Sequence, residues 1–138
     1  MNILVVIEDS RGSMHRMSKE AIVAAQKIGG DITALVIGDN AEAISEELSS
    51  IAIERTLVVK HDLVSFYNSD GYAEVVTQVI RSMNPSTIII GHTYQTRDFM
   101  PRVSARLDIP FIPDIVGLEH DSYIKQVLNS KLNASISS

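Results

Sequence analysis

Short, continuous apolar runs alternate with amphipathic segments along most of the chain. The runs predict strands at residues 2–7, 32–37, 56–59 and 86–90, because unbroken β-branched and leucine residues are typical of strands buried on both faces of a sheet. A further apolar stretch at 111–118 is flanked by Pro110 and Pro113, and it predicts an edge or exit strand.

The segments between these runs have the spacing of helices with one buried face. The predicted helices cover 18–28, a segment capped by Asn40, a segment capped by Asp70, and 98–107. Gly29 and Gly30 end the first helix, and Pro85 ends the third.

Strands that alternate with helices at short spacing predict an α/β fold, namely a doubly wound, mostly parallel, Rossmann-like sheet. The segments 123–128 and 132–136 look extended and flank the turn pair Asn129-Ser130, which predicts an antiparallel ribbon appended at the C-terminus. Because the sequence stops just after the second segment, we expect a domain cut from a longer protein, or a strand that a partner completes.

Composition narrows the class of protein. A chain of 138 residues fits one domain, and its 45% hydrophobic and 21% charged residues are ordinary for a globular protein. It has no cysteine, which removes disulfides and thiolate chemistry and is compatible with the cytoplasm. The net charge of −5 argues against nucleic-acid binding, and no apolar run reaches the ~20 residues that membrane insertion requires.

In such a sheet, ligands bind beyond the carboxyl ends of the strands, in the predicted loops 8–16, 38–40, 61–69 and 91–97. None of these loops has the glycine pattern of a Rossmann fingerprint or a P-loop. Three serines, Ser10, Ser13 and Ser18, are candidates for a phosphate cradle, although a solvated turn is the simpler interpretation.

Neither a metal site nor a catalytic site is predicted. The four histidines, His15, His61, His92 and His120, are too far apart in sequence to form a short-range ligand pair. The sequence has no nucleophile elbow and no readable pair of catalytic carboxylates.

The segment GHTYQTRDFMPRVSARL at 91–107 is the most distinctive of the chain. With Asp98 as N-cap, Pro101 falls in the first turn, where its missing N–H costs nothing. Phe99, Val103 and Leu107 then face the sheet, while Arg102 and Arg106 lie on a more exposed side. Arg97 precedes this predicted helix, where a cation is unfavourable. We therefore expect it to face a carboxylate, a phosphate, a partner surface or solvent.

This segment and the following IPFIPDI resemble the N-terminal domain of the electron transfer flavoprotein alpha subunit. The opening ILVVIED, the stretches AAQKIGG and DITALVIG, and the late KLNASI resemble the same family in order, over essentially the whole chain. The resemblance implies that residues 1–138 form a single domain of this type. It also implies a fragment of a longer, two-domain subunit.

The resemblance further implies a scaffold and docking role in a cytoplasmic electron carrier rather than an enzyme. Such alpha subunits pair with a beta subunit of the same fold, and the heterodimer carries FAD. The FAD takes electrons from dehydrogenases, typically the acyl-CoA dehydrogenases of fatty acid oxidation, and passes them to a quinone reductase or another acceptor. Most FAD contacts belong to a C-terminal domain that these residues lack, so we expect no cofactor on this chain alone. The predicted partner-facing or nucleotide-facing residues are Gly91, His92, Thr93, Arg97, Asp98 and Arg102.

The fold also resembles the adenine nucleotide alpha hydrolase-like group that includes universal stress proteins. A stand-alone adenine-nucleotide-binding domain is therefore the alternative. That group uses G-x-x-G after the fourth strand and a later G-S pair, whereas here Gly91 is followed by HTYQTRD.

Overall fold

The structure is a computed structural model that describes residues 2–91 and 93–108. The predicted strand 111–118 and the predicted ribbon segments 123–128 and 132–136 lie outside the described residues, as does His92.

The predicted alternation of four strands and four helices is confirmed within the described part. The strands are β1 Asn2–Ile7, β2 Asp9–Ser10, β3 Ser13–Met14, β4 Asp31–Ile37, β5 Arg55–Val59 and β6 Thr87–Ile90. The helices are α1 Arg16–Ile28, α2 Ala41–Leu48, α3 Ser69–Met83 and α4 Tyr94–Leu107, with a 3-10 turn at Asp62–Val64. The small strands β2 and β3 form a hairpin in the segment that the sequence predicted as a plain polar loop.

The main sheet is parallel, in the order β5-β4-β1-β6. Ile3 in β1 pairs with Ile32 on one side and Thr87 on the other, which fixes the register of the two pairings that β1 makes. From β1 the chain moves outward through β4 to β5, and it then returns to the other side of β1 as β6. This reversal of direction is the doubly wound arrangement that the sequence predicted.

Both faces of the sheet are covered by helices, which explains the unbroken apolar runs. Ile3, Val5 and Ile7 pack in one core cluster with residues of α1 and α2. Leu4 and Val6 pack in the other with residues of α3 and α4. Side chains alternate between the two clusters because successive residues of a strand point to opposite faces.

Several helices begin at residues that the sequence did not predict. Helix α1 begins at Arg16 rather than 18, because His15 Nδ1 accepts the Met17 N–H at 3.0 Å. Helix α3 is capped by Asn68, whose Oδ1 accepts the Gly71 N–H, so the prediction of Asp70 as cap was wrong. Asn40 does precede α2, but its side chain makes no capping bond.

Helix α4 differs most from its prediction. Thr93 is its N-cap and accepts the Thr96 N–H at 3.1 Å, so Asp98 is not the cap and lies inside the helix. Pro101 is also in the interior, and Arg97 belongs to the first turn, its N–H donating to the Thr93 carbonyl at 3.0 Å. The predicted inward face is confirmed, since Phe99 and Val103 are buried and Leu107 packs beside them.

Candidate functional site

The topological switch point lies between the carboxyl ends of β1 and β6. The chain turns away from β1 toward α1 on one face of the sheet, and from β6 toward α4 on the other. Proteins of this architecture bind ligands in the crevice that opens at such a point. Here the crevice is bordered by Glu8 after β1 and by Gly91 and Thr93 after β6.

Gly91 brings the loop after β6 against the first turn of α1. A Cβ atom at this position would lie 2.8 Å from Met17 Cβ and 3.1 Å from the Met17 carbonyl carbon and oxygen. Glycine is needed here because the two segments approach closely, not because the backbone is left-handed. The close approach narrows the crevice from the β6 side.

Glu8 and Thr93 close the crevice from both sides. The Thr93 hydroxyl donates to Glu8 Oε1 at 2.5 Å, a short distance typical of an O–H donor facing a carboxylate. The Thr96 hydroxyl donates to the Gly91 carbonyl at 2.7 Å, which holds the loop between β6 and α4 in place. On the α1 side, the Glu8 N–H donates to the buried Ser18 Oγ at 2.8 Å.

Glu8 also supplies negative charge to two helix N-termini. Neither α1 nor α4 has an acidic residue in its first turn. Glu8 Oε1 is bonded to Thr93, the cap of α4, and Glu8 Oε2 lies 3.9 Å from Nε2 of His15, the cap of α1. A helix N-terminus carries partial positive charge and favours an anion, and here the anion is the protein's own carboxylate.

Little space is left at the switch point. The cavity there has a volume of about 10 Å³, and its lining includes Glu8, Ser18, Gly91 and Phe99. That is room for about one water molecule, whereas small-molecule sites typically measure ~300–1,000 Å³. Two open grooves of about 510 and 530 Å³ lie elsewhere, one beside β5 and α3 and the other between α1 and α2.

The three candidate serines of the first loop do not converge on a phosphate. Ser10 and Ser13 pair across the β2–β3 hairpin, whose turn residues Arg11 and Gly12 have φ of 55° and 90°. Two positive φ values in a two-residue turn suit a tight hairpin. Ser18 instead bonds to the Glu8 backbone, so its hydroxyl serves the fold.

The remaining predicted site residues lie on the exposed side of α4. Asp98 accepts from the Tyr67 hydroxyl at 2.5 Å, and Arg102 forms an ion pair with Asp70. Arg97 is exposed, and within residues 2–91 and 93–108 its side chain has no hydrogen bond or ion pair. The structure thus places Gly91 and Thr93 in the crevice, and the three residues of α4 on a separate surface.

Three aromatic rings, those of Tyr67, Tyr72 and Phe99, pack against one another next to this side of α4. The Tyr67 ring lies 4.8 Å from that of Tyr72, and the Tyr72 ring lies 5.9 Å from that of Phe99, both edge to face. Burial, followed by the hydrogen bond to Asp98, raises the pKa of Tyr67. Burial also raises the pKa of Tyr72 to about 12, and its hydroxyl donates to the Ile37 carbonyl at 3.1 Å.

Sequence reasoning missed a group of exposed apolar residues beside α4. Leu63, Phe66 and Tyr67 lie in the segment between β5 and α3, and Tyr94 is the first residue of α4. The signal was present, since the apolar stretch LVSFY falls inside a segment predicted to be a loop. Apolar side chains held on a loop are a recognised mark of an interaction surface.

Residues 2–91 and 93–108 contain no group of three or more histidine or acidic side chains placed to hold a metal ion. No helix in this part of the chain is both long enough and apolar enough to cross a bilayer.

The chain is similar to known flavoprotein subunits along most of its length. It is 32% identical over 118 residues to the electron transfer flavoprotein subunit alpha of Bacillus subtilis, covering 84% of this chain and 36% of the relative. It is 29% identical over 133 residues to the same subunit of Clostridium acetobutylicum, covering 94% and 40%. It is also 30% identical over 124 residues to the acryloyl-CoA reductase electron transfer subunit beta of Anaerotignum propionicum, covering 87% and 34%.

The chain thus spans less than half the length of these relatives. The family model described as electron transfer flavoprotein domain matches residues 3–135, which is nearly the whole chain. The chain therefore belongs to the electron transfer flavoprotein domain family.

Proposed function

We propose that this chain is the scaffold and docking domain of an electron transfer flavoprotein alpha subunit. The observation that carries the proposal is the family match over residues 3–135. The closed crevice favours a role other than small-molecule binding at this point, because Glu8 and Thr93 occupy the place where this fold usually holds a ligand. The domain thus supplies shape to a larger assembly.

In the assembly, FAD is held mainly by other parts of the protein. The chain is the first domain of a longer, two-domain subunit that pairs with a beta subunit of the same fold. Electrons pass from dehydrogenases, such as acyl-CoA dehydrogenases, through FAD to a quinone reductase or another acceptor in the cytoplasm. The domain is part of an electron carrier and not a catalyst in its own right.

A stand-alone adenine-nucleotide-binding domain is not favoured. A nucleotide brings negative phosphates, and the crevice already contains the Glu8 carboxylate beside both helix N-termini. The cavity of about 10 Å³ is also far smaller than an adenine nucleotide.

The test is co-expression of residues 1–138 with an electron transfer flavoprotein beta subunit from the same organism. We expect a stoichiometric complex in size-exclusion chromatography. The isolated chain should show no flavin absorbance after it is mixed with FAD and desalted. Absence of the complex, or a stoichiometric flavin on the isolated chain, would refute the proposal.

Calorimetric titration of the isolated chain with AMP and ATP separates the alternative function. We expect no binding heat, because the crevice is filled by protein atoms. Micromolar binding of either nucleotide would favour the nucleotide-binding alternative instead.

A further inference from the structure

We propose that Leu63, Phe66 and Tyr94 form the centre of the surface that binds the beta subunit, and we name it the carboxyl-edge patch. The inference rests on the proposed function and adds the place of contact. Sequence reasoning pointed to the loop after β6 and to the arginines of α4. The structure adds the apolar side chains beside them.

The exposure of these three residues is unusual for their chemistry. Leu63 is 73% exposed, Phe66 83% and Tyr94 90%. The other large hydrophobic residues exposed in the described part are Val23 and Val58, at 46% and 40%, and Tyr67 at 36%. Large aromatic side chains that protrude from a surface are typical anchors of protein interfaces.

Phe66 and Tyr94 are linked through Tyr67 and Asp98. Tyr67 follows Phe66 in the chain, and its hydroxyl donates to Asp98 of α4. Tyr94 precedes Asp98 by four residues, so both lie on one side of the helix. The segment before α3 and the first turn of α4 therefore present a common surface at the carboxyl edge of the sheet.

The segment that carries Leu63 and Phe66 is held in shape by local hydrogen bonds. Asn68 Nδ2 donates to the Leu63 carbonyl at 2.7 Å and to the Phe66 carbonyl at 3.4 Å. His61 Nδ1 accepts the Leu63 N–H at 3.1 Å. A surface fixed before binding loses less conformational entropy when a partner arrives.

The charges around the patch favour a protein partner. Asp98 accepts a hydrogen bond from Tyr67, and Asp70 is paired with Arg102, so both carboxylates already have a partner within the chain. Arg97 is exposed without a partner among the described residues, and it calls for a carboxylate on the opposing surface. A nucleic acid or an anionic membrane is negative over its whole surface and would meet a chain of net charge −5, with Asp62 beside Leu63. A protein surface can place a single carboxylate opposite Arg97, and we therefore assign the patch to a protein surface with an apolar centre and a carboxylate at the position that faces Arg97.

The experiment compares two sets of substitutions in the complex of residues 1–138 with the beta subunit. The test variant carries Leu63→Ser, Phe66→Ser and Tyr94→Ser, and the control carries Val23→Ser and Val58→Ser, which also remove exposed apolar side chains. Isothermal titration calorimetry should show the test variant binding at least about 10-fold more weakly, and the control within about 2-fold of the wild type. Both should keep the wild-type circular dichroism spectrum, because the changed side chains are exposed.

A second variant tests the charge assignment. Arg97→Glu should weaken binding several-fold, and the loss should shrink at high salt, whereas Arg97→Lys should bind nearly as the wild type does. Equal affinities of the wild type and Arg97→Glu at low salt would overturn the assignment of a carboxylate opposite Arg97.

The other possible results of these experiments assign the patch to the beta subunit, to a second copy of the chain or to the chain itself. If the test variant binds the beta subunit as tightly as the wild type does, the patch is overturned and the proposed function stands. Absence of any complex with the wild type overturns both. Self-association of the wild-type chain that the three serines abolish, measured by sedimentation, would assign the patch to a second copy. Low hydroxyl-radical labelling of Phe66 and Tyr94 in the free chain would mean that the chain covers the patch itself.

Discussion

Substitution of Glu8 by glutamine removes one negative charge from the crevice and keeps the shape of the side chain. The amide oxygen of the new side chain can still accept from the Thr93 hydroxyl, which lies 2.5 Å from Oε1 in the native structure. What is lost is the charge beside the N-termini of α1 and α4. The first turn of each helix itself contains no acidic residue.

The magnitude follows from these contacts. A carboxylate near a helix N-terminus contributes about 0.3–1 kcal/mol, and Glu8 serves two of them. A hydrogen bond to a charged acceptor is also about twice as strong as one to a neutral acceptor. We expect Glu8→Gln to lower the free energy of unfolding by about 1–2 kcal/mol.

Glu8→Ala should cost more, about 2–3 kcal/mol, because the acceptor is removed as well. The cost should not exceed about 3 kcal/mol, the upper end for a hydrogen bond to a charged group. Thr96 Oγ1 lies 3.1 Å from Thr93 Oγ1, so the Thr93 hydroxyl can turn to another acceptor.

The assay is urea unfolding followed by circular dichroism, at low and at high salt. Glu74→Gln is the control, since Glu74 is an exposed residue of α3 paired with Arg106, and its loss should cost less than about 1 kcal/mol. High salt should reduce the effect of the control more than that of Glu8, whose side chain is only 18% exposed. The reasoning is refuted if Glu8→Gln is as stable as the wild type at low salt.

Two further substitutions test the packing of the crevice and of the aromatic cluster. Gly91→Ala should lower the free energy of unfolding by about 1–3 kcal/mol, because the new Cβ would lie 2.8 Å from Met17 Cβ. A loss below about 0.5 kcal/mol in urea unfolding would contradict the close approach. The pKa of Tyr72 is raised to about 12, so the wild type should lose stability as pH rises above about 10, where the unfolded chain ionises first. Tyr72→Phe should weaken this loss of stability at alkaline pH and leave the part due to Tyr67. The measurement is urea unfolding of both proteins at several pH values above about 10. If the wild type and Tyr72→Phe lose stability equally, the raised pKa of Tyr72 is wrong.

The positions of the strands were readable from the sequence because both faces of the sheet are buried. The apolar runs within 2–7 and 86–90 indicate strands that are covered on both faces. The start of α4 was not readable in this way. Thr93 and Asp98 are both good N-cap residues, and Pro101 suits a first turn, so local rules favoured Asp98. A contact between Thr93 and Glu8, 85 residues apart in the chain, accompanies the earlier start.

The sequence predicted which loops lie at the carboxyl ends of the strands, but not which side chains those loops bury or expose. The loops at the carboxyl ends of the strands follow from the topology alone. Which side chains they bury or expose depends on long-range contacts, such as the bond that joins Tyr67 to Asp98, 31 residues later. That bond accompanies the exposure of Phe66, whereas phenylalanine side chains are usually buried.

The closed crevice and the carboxyl-edge patch are connected through the first turn of α4. Thr93 caps the helix and bonds to Glu8, and Tyr94 and Arg97 follow directly in that turn. Loss of the Glu8 carboxylate should therefore loosen the turn that presents both residues to a partner. We expect Glu8→Ala to speed hydrogen exchange at the amides of Thr96 and Arg97. The same variant should also bind the beta subunit more weakly. The serine variants of the patch should weaken binding while exchange in the free chain stays at the wild-type rate. If Glu8→Ala leaves exchange in this turn unchanged, the crevice does not organise the patch, and the two features are independent.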